Sequence, residues 1–420
     1  MQNSDFTRNR KLPFPKLIVF VLSIAAGGKS RGTDTKSGEF FRNARSSGLW
    51  PDAEAVHRSG VSKARKKVPW RVFRDILGNA VSLTYELWPE YPKYLWHGMS
   101  VFAIDGSKYD LPATDDIRQE FDPDSGLGNK GKGHYPQCLV STLYDVFRRL
   151  PVARTVVGTN GSEREEVKNL LPFAPSGSIL LFDRGYPSYE LLLYLENNHE
   201  GHYIFRSPSA CTFPAAEAFI ESGREEDVIL IAPSKKYSEK ISPAERKKAE
   251  PVKVRIIRLV SPDGTESVLL TNLYDKEEFP GSEITALYFR RREVEGYYRD
   301  EKTVAETEKF HSQTVNGILQ ELFAIMIMSV ISRTLMVLSS ELSGRGAYEF
   351  QFKNAVMTLA SEAAVLVPDD PEKAAEIFNE ILSEIARVKY YRPKIPRPSQ
   401  PRVCKKPLNK RGDKKLKRIK

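Results

Sequence analysis

Apolar positions change their spacing along this chain, and the changes divide it. From Leu17 to about Trp96 they recur at helical intervals, starting with the apolar run Leu17 to Ala26, which only Ser23 interrupts. That run is ten residues long, too short to cross a bilayer, so it predicts a short buried helix. Short runs of another kind follow: Val101 to Ile104, Gln137 to Tyr144, Arg154 to Val157, Ile179 to Phe182 and His202 to Arg206. They are rich in Val, Leu, Ile and Thr and predict strands. Between them, Ser162 to Leu171 opens with a capping-type Ser and an acidic first turn, a helix start, and Tyr189 to Asn197 predicts another helix. Strand, strand, strand, helix, strand, helix, strand describes a mixed α/β sheet.

From about Ser207 to Glu283 the pattern is β-rich. Val228 to Ile231, Val252 to Val260 and Ser267 to Asn272 predict strands, with Ser261-Pro-Asp-Gly264 as a hairpin turn. This predicts an inserted β subdomain. Helical spacing returns at Ile284 and continues through Val315 to Leu338, where Glu321 and Arg333 argue for a buried helix and against a membrane span. A last helical region runs from about Tyr348 to Arg387.

Charge changes the picture at the ends. The 420 residues carry a net charge of +10, but Lys389 to Lys420 holds fourteen Lys/Arg and one Asp. A basic tail broken by prolines is a phosphate-neutralising arm or a solvating tail. Near the amino terminus, Lys63, Arg65, Lys66 and Lys67 precede Pro69, which can open a helix. Two short helices around a turn with this charge suit a helix-turn-helix-like DNA reader. Gly126 to His134, with Lys130 and Lys132, is a phosphate-contacting loop or an ordinary exposed one. Three scattered cysteines argue for a reducing cytoplasm and against disulfides or zinc. Gly27-Gly-Lys29-Ser30 lacks the first glycine of a nucleotide-binding loop, so no nucleotide cofactor is expected.

Two aspartates share a context: Val-Phe-Ala-Ile-Asp105-Gly and Leu-Leu-Phe-Asp183-Arg-Gly. Each follows a hydrophobic strand, which predicts a carboxylate at a strand's carboxyl end, where α/β sheets hold ligands. Acids also end strands simply to begin turns. Further on, Tyr288, Arg291, Glu295 and Lys302 are spaced so that one helix, at about 100° per residue, would bring all four within about 60°. That stripe of a phenol, two cations and a carboxylate is not a core stripe. Three acids can hold two divalent ions about 4 Å apart, the clamp of in-line phosphoryl displacement. Magnesium, which takes oxygen ligands, suits such a site.

These residues carry a resemblance. The Y-x2-R-x3-E-x6-K spacing at Tyr288, Arg291, Glu295 and Lys302, with Ala-Ile-Asp105-Gly-Ser, Leu-Phe-Asp183-Arg-Gly-Tyr, Leu-Leu-Thr271-Asn-Leu and VSKARKKVPWRVF, resembles the DDE transposases of prokaryotic insertion sequences. The resemblance implies an α/β fold: a ribonuclease H-like mixed sheet with flanking helices, interrupted by a β-rich insertion, plus an all-α N-terminal DNA-binding region. The expected units are residues 1–98, the helical N-terminal region; 99–206 and 284–340, the core; 207–283, the insertion; 341–388, C-terminal helices; and 389–420, the basic tail. It implies that Asp105, Asp183 and Glu295 bind two Mg²⁺ ions, with Mn²⁺ substituting, and that Tyr288, Arg291 and Lys302 hold transposon-end DNA. Arg184, beside Asp183, is a further DNA-contact candidate. The implied partner is double-stranded DNA, bound by a synaptic homodimer in the cytoplasm, with no membrane. In one departure, all four tryptophans precede the core. That leaves Tyr297 or Tyr298 as the aromatic on which a flipped base would stack. The rival readings are a metal-dependent nuclease without strand transfer and an inactive DNA-binding derivative.

Overall fold

The computed structural model describes residues 11–27, 32–124, 135–208, 213–243, 249–260, 264–304, 308–346 and 349–389. Its strands are β1 (Val101–Asp110), β2 (Gln137–Asp145), β3 (Leu150–Gly158), β4 (Ile179–Phe182), β5 (His202–Pro208), β6 (Glu226–Ile231), β7 (Val252–Val260) and β8 (Glu266–Thr271). The helices are α1 (Phe14–Ala26), α2 (Thr33–Ser46), α3 (Arg58–Lys67), α4 (Arg71–Leu87), α5 (Asp115–Phe121), α6 (Glu163–Leu170) and α7 (Tyr189–Asn198). They continue with α8 (Pro214–Glu221), α9 (Lys235–Lys240), α10 (Gly281–Phe289), α11 (Arg292–Val304), α12 (Val315–Ser343), α13 (Phe352–Ser361) and α14 (Pro371–Arg387).

The strands form one mixed sheet in the order β3-β2-β1-β4-β5-β8-β7-β6. β4 lies parallel to both β1 and β5, and β2 and β3 are antiparallel neighbours on one flank. β4 is the four-residue run Ile-Leu-Leu-Phe, buried throughout. An uninterrupted apolar run is what a parallel strand covered on both faces requires.

The β-rich insertion is present in chain order but is not a separate subdomain. β8 pairs antiparallel with β5, and β7 and β6 continue outward. Pairing satisfies the backbone edge that β5 would otherwise leave open. Val254, Ile256, Val268 and Leu270 then join the main core. The segment also contains α8, which opens at Pro214 and buries Ala216 and Phe219.

The amino-terminal helices are likewise part of the main body, not an independent module. Helix α12 is the hub, and α1, α3, α4, α13 and α14 all pack on it. Thr314 caps its start by accepting from the Gly317 amide, and Gly344 ends it in the left-handed region at φ 65°. By length and apolarity α12 could cross a membrane, yet 83% of its most apolar window is buried inside the fold. Its Glu321 is fully buried and accepts from Arg65 Nη1 at 3.0 Å and from the His311 and Ser312 amides at 3.0 and 2.9 Å. A charge taken out of water persists only with partners of this kind. Ser59 and Gly60 lie inside α3, whose start is capped by His57, and the break between α3 and α4 falls at Val68-Pro69.

Candidate active site

Strand periodicity brings the two aspartates together. In the parallel β1–β4 pair, Ala103 lies opposite Leu181. Asp105 and Asp183 follow two residues later on each strand, so they leave the sheet side by side on one face. Val101, Ala103, Ile179 and Leu181 pack on that face against Leu287, Tyr288, Val294 and Tyr297 of α10 and α11. Phe102, Ile104, Leu180 and Phe182 face the opposite core, with Phe323 to Met328 of α12. Asp183 follows the last residue of β4, as expected. Asp105 does not end its strand: β1 runs on to Asp110, with Asp105 paired to Thr142 of β2.

The predicted single helix through the Y-R-E-K stripe is two helices. α10 ends at Phe289, Arg290 and Arg291 form a tight turn, and α11 starts at Arg292. The Arg290 and Arg291 amides bond to the carbonyls of Leu287 and Tyr288 at 3.0 Å each. These are i to i−3 bonds, which tighten a helix end.

That turn aims Arg291 into the acids. Its Nη2 is 2.5 Å from Glu295 Oε1 and 3.6 Å from Asp183 Oδ2, and its Nη1 is 3.5 Å from Asp105 Oδ2. One guanidinium thus touches carboxylates from β1, the end of β4 and α11. Burial opposes the charge of Arg291, but Asp183, Tyr288, Asp105 and Glu295 outweigh it and hold the group protonated. Its buried Nη1 makes no hydrogen bond.

Asp105 is the least solvated acid. Burial pushes its carboxyl up to about 7, with Arg291 opposing and Glu163 and Asp183 reinforcing the rise. A carboxyl that burial keeps from ionising readily is one that a further cation would stabilise in ionised form. The donor set is oxygen only, which matches a hard divalent ion. Among the described residues no group of three or more His, Cys, Asp or Glu side chains is arranged to hold a metal ion. The acids fit such an ion by chemistry, and here they are gathered around Arg291.

The remaining stripe residues are more tied down than expected. Tyr288 is buried, its hydroxyl 3.5 Å from Asp183 Oδ1, and burial pushes it up to about 12, so it stays a phenol donor. Lys302 donates to the Lys108 carbonyl at 2.5 Å, lies 3.5 Å from Glu308 and sits 4.5 Å above the Tyr109 ring. Arg184 is exposed beside Asp183. Tyr297 and Tyr298 are not available to stack a base. Both are buried, and the Tyr298 hydroxyl donates to the carbonyl of Asp105 at 2.7 Å.

Of the amino-terminal cations, Lys63, Lys66 and Lys67 are exposed on α3. Arg65 is not a surface contact: it is buried, bonding Gln320, Glu321 and the Gly317 carbonyl at 2.9, 3.0 and 2.8 Å. It is the counter-charge of Glu321. Lys130, Lys132, the hairpin turn at Ser261 and the basic tail beyond Lys389 lie outside the described residues.

Sequence reasoning missed the supports of the site. Behind the acids, Arg154 of β3 and Glu301 of α11 form a fully buried ion pair at 2.7 Å. Arg154 also donates to the Tyr297 hydroxyl at 2.9 Å and the Leu322 carbonyl at 2.6 Å, and Tyr109 of β1 donates to Glu301 at 2.7 Å. The network fixes the helix that carries Glu295 to the strand that carries Asp105. Glu163 at the start of α6 was also missed. A side chain at Gly106 would place its β-carbon 2.7 Å from the Glu163 carboxyl carbon, so a larger residue there would displace Glu163 from beside Asp105.

The family model described as "Transposase DDE domain" matches residues 96–331, from just before β1 into α12. The chain belongs to the DDE transposase family. Among curated proteins, this transposase is 24% identical over 337 residues to transposase InsG of insertion sequence element IS4 from Escherichia coli K12. That match covers 78% of this chain and 72% of the relative. The putative transposase InsZ of the same bacterium is 28% identical over 156 residues, which is 35% of this chain and 50% of that protein. Among solved structures, the piggyBac transposase synaptic complex with hairpin DNA aligns with a TM-score of 0.43 at 11% identity. It covers 95% of this chain and 81% of that one.

Proposed function

We propose that this transposase binds double-stranded DNA at transposon ends, cleaves it there, and joins the freed 3′-hydroxyl to target DNA. The observation that carries the reading is the meeting of Asp105, Asp183 and Glu295 on one guanidinium. These acids would hold two Mg²⁺ ions, with Mn²⁺ as a substitute. Ions bound there would supply Lewis-acid charge and a water of lowered pKa for in-line displacement at phosphorus.

The residues of the chain divide the remaining work. Tyr288 orients Asp183 through its hydroxyl. Arg291 is the acids' counter-charge in the resting protein, and its Nη1, which faces Asp105 without a hydrogen bond, is the donor it can offer a phosphate once that charge is balanced otherwise. A planar guanidinium suits phosphate geometry better than an ammonium does. Lys302, on a flexible stem near the end of α11, can swing from the Lys108 carbonyl to the DNA backbone. Arg184 and the exposed lysines of α3 extend the basic surface. Two ends cut together imply a homodimer around DNA.

The rival with the same acids is a nuclease that uses water alone. Duplexes ending in the element's terminal sequence, already cut and carrying a free 3′-hydroxyl, separate the two. Joined products in the presence of Mg²⁺ are expected. Hydrolysis with no joining would leave the nuclease reading.

A further inference from the structure

Away from the acids, a cavity of about 910 Å³ opens between α3 and the amino-terminal end of α12. We propose that it seats a backbone phosphodiester of duplex DNA, held by His311, Lys66 and the first-turn amides of α12. The inference rests on the DNA-acting reading above and adds a contact to it.

Three observations meet in this cavity. The first is the start of a 29-residue helix. A helix leaves its first four amides without internal partners and concentrates partial positive charge there. Thr314 Oγ1 accepts from the Gly317 amide, one of these four, at 3.3 Å. The second is His311. Its side chain is only 6% exposed and lines the cavity, yet neither ring nitrogen has a hydrogen-bond partner. Nδ1 is 3.6 Å from Glu321 Oε2, too long for a hydrogen bond. Buried polar groups almost always find partners, so an imidazole with no hydrogen bond at either nitrogen, and only Glu321 facing its Nδ1, points to a missing partner at Nε2. The third is charge. Lys66 is exposed at the cavity wall, and Arg58 stands at the rim with Asp34, 3.7 Å away.

The ligand must be a compact anion that accepts from amides, an imidazole and an ammonium together, which describes a phosphate oxygen cluster. Because α3 is exposed on this side, a phosphate carried on a duplex can reach it. Lys66→Glu in the full chain should weaken binding of a mixed-sequence duplex irrespective of its sequence. It should also reduce the slope of log K against log salt by about 0.9, the value for one lost contact. His311→Phe, which keeps the ring volume and removes both nitrogens, should weaken binding in the same way. Lys66 is exposed, so its variant remains informative if the His311 variant fails to fold. An unchanged slope and affinity for Lys66→Glu, in a wild-type background that does bind duplex, would overturn this seat alone. A wild type that binds no duplex would instead overturn the DNA-acting reading. Inorganic phosphate serves as the second probe. If its binding is lost in Lys66→Glu while the duplex slope stays the same, the cavity is a small-anion site and the proposal falls.

Discussion

Glu295→Gln should abolish DNA cleavage while leaving duplex affinity close to wild type. The substitution keeps the shape of the side chain and replaces one of the three acids gathered on Arg291 with a neutral amide. Charge stabilisation at a metal-assisted phosphoryl transfer is worth several kcal/mol, which is about three powers of ten in rate. The folded state should barely register the change. The Glu295 side chain is 37% exposed, and the buried Arg291 keeps Asp105 and Asp183 as counter-charges when this pairing is lost. Cleavage rates and thermal midpoints measured together therefore distinguish a chemical role from a structural one. A Gln variant that cuts at the wild-type rate in Mg²⁺ would remove Glu295 from the site.

The second large effect concerns stability. Arg154 and Glu301 are both wholly buried, so removing either charge strands the other in the core. Arg154→Met and Glu301→Leu should each cost about 3–5 kcal/mol, read as a shift of the denaturant midpoint at constant slope. The double variant Arg154→Met/Glu301→Leu should cost less than the two singles added, because no bare charge remains. It should not return to wild type, since Tyr109 and Tyr297 each lose a hydrogen-bond partner. Singles that each cost under about 1 kcal/mol would show that the pair is not what fixes α11 to the sheet.

The parts of the fold legible in the sequence are those fixed by local pattern. β4 was read to the residue because a continuous apolar run between turn residues has few alternatives, and β7 because its β-branched residues recur between charged ones up to a turn. The length of β1 was not legible: Gly106 to Asp110 is polar, and only pairing with β2 keeps it extended. The break at Arg290-Arg291 was hidden for a related reason. Arginine is a good helix former, so nothing local predicts a turn there. It is defined by what Arg291 touches in space. Arg65 was misread although its signal was present. Val61, Arg65 and Val68 recur at helical spacing with both valines buried, which puts the arginine on the inner face. The insertion was found as β-rich, but its membership of the core sheet depends on the open edge of β5, which no local pattern records. The three acids could be picked out because the apolar runs before Asp105 and Asp183 and the Y-R-E-K spacing are local patterns, although Asp105 lies inside its strand. That an arginine would stand among them was not.

The central claim is that Asp105, Asp183 and Glu295 act together on shared cations. Anomalous diffraction from crystals of the DNA complex grown in Mn²⁺ tests it most directly. The account predicts anomalous peaks bounded by these three side chains, with Arg291 turned from the acids to a DNA phosphate. Manganese bound elsewhere, with Arg291 still in contact with all three carboxylates, would contradict it.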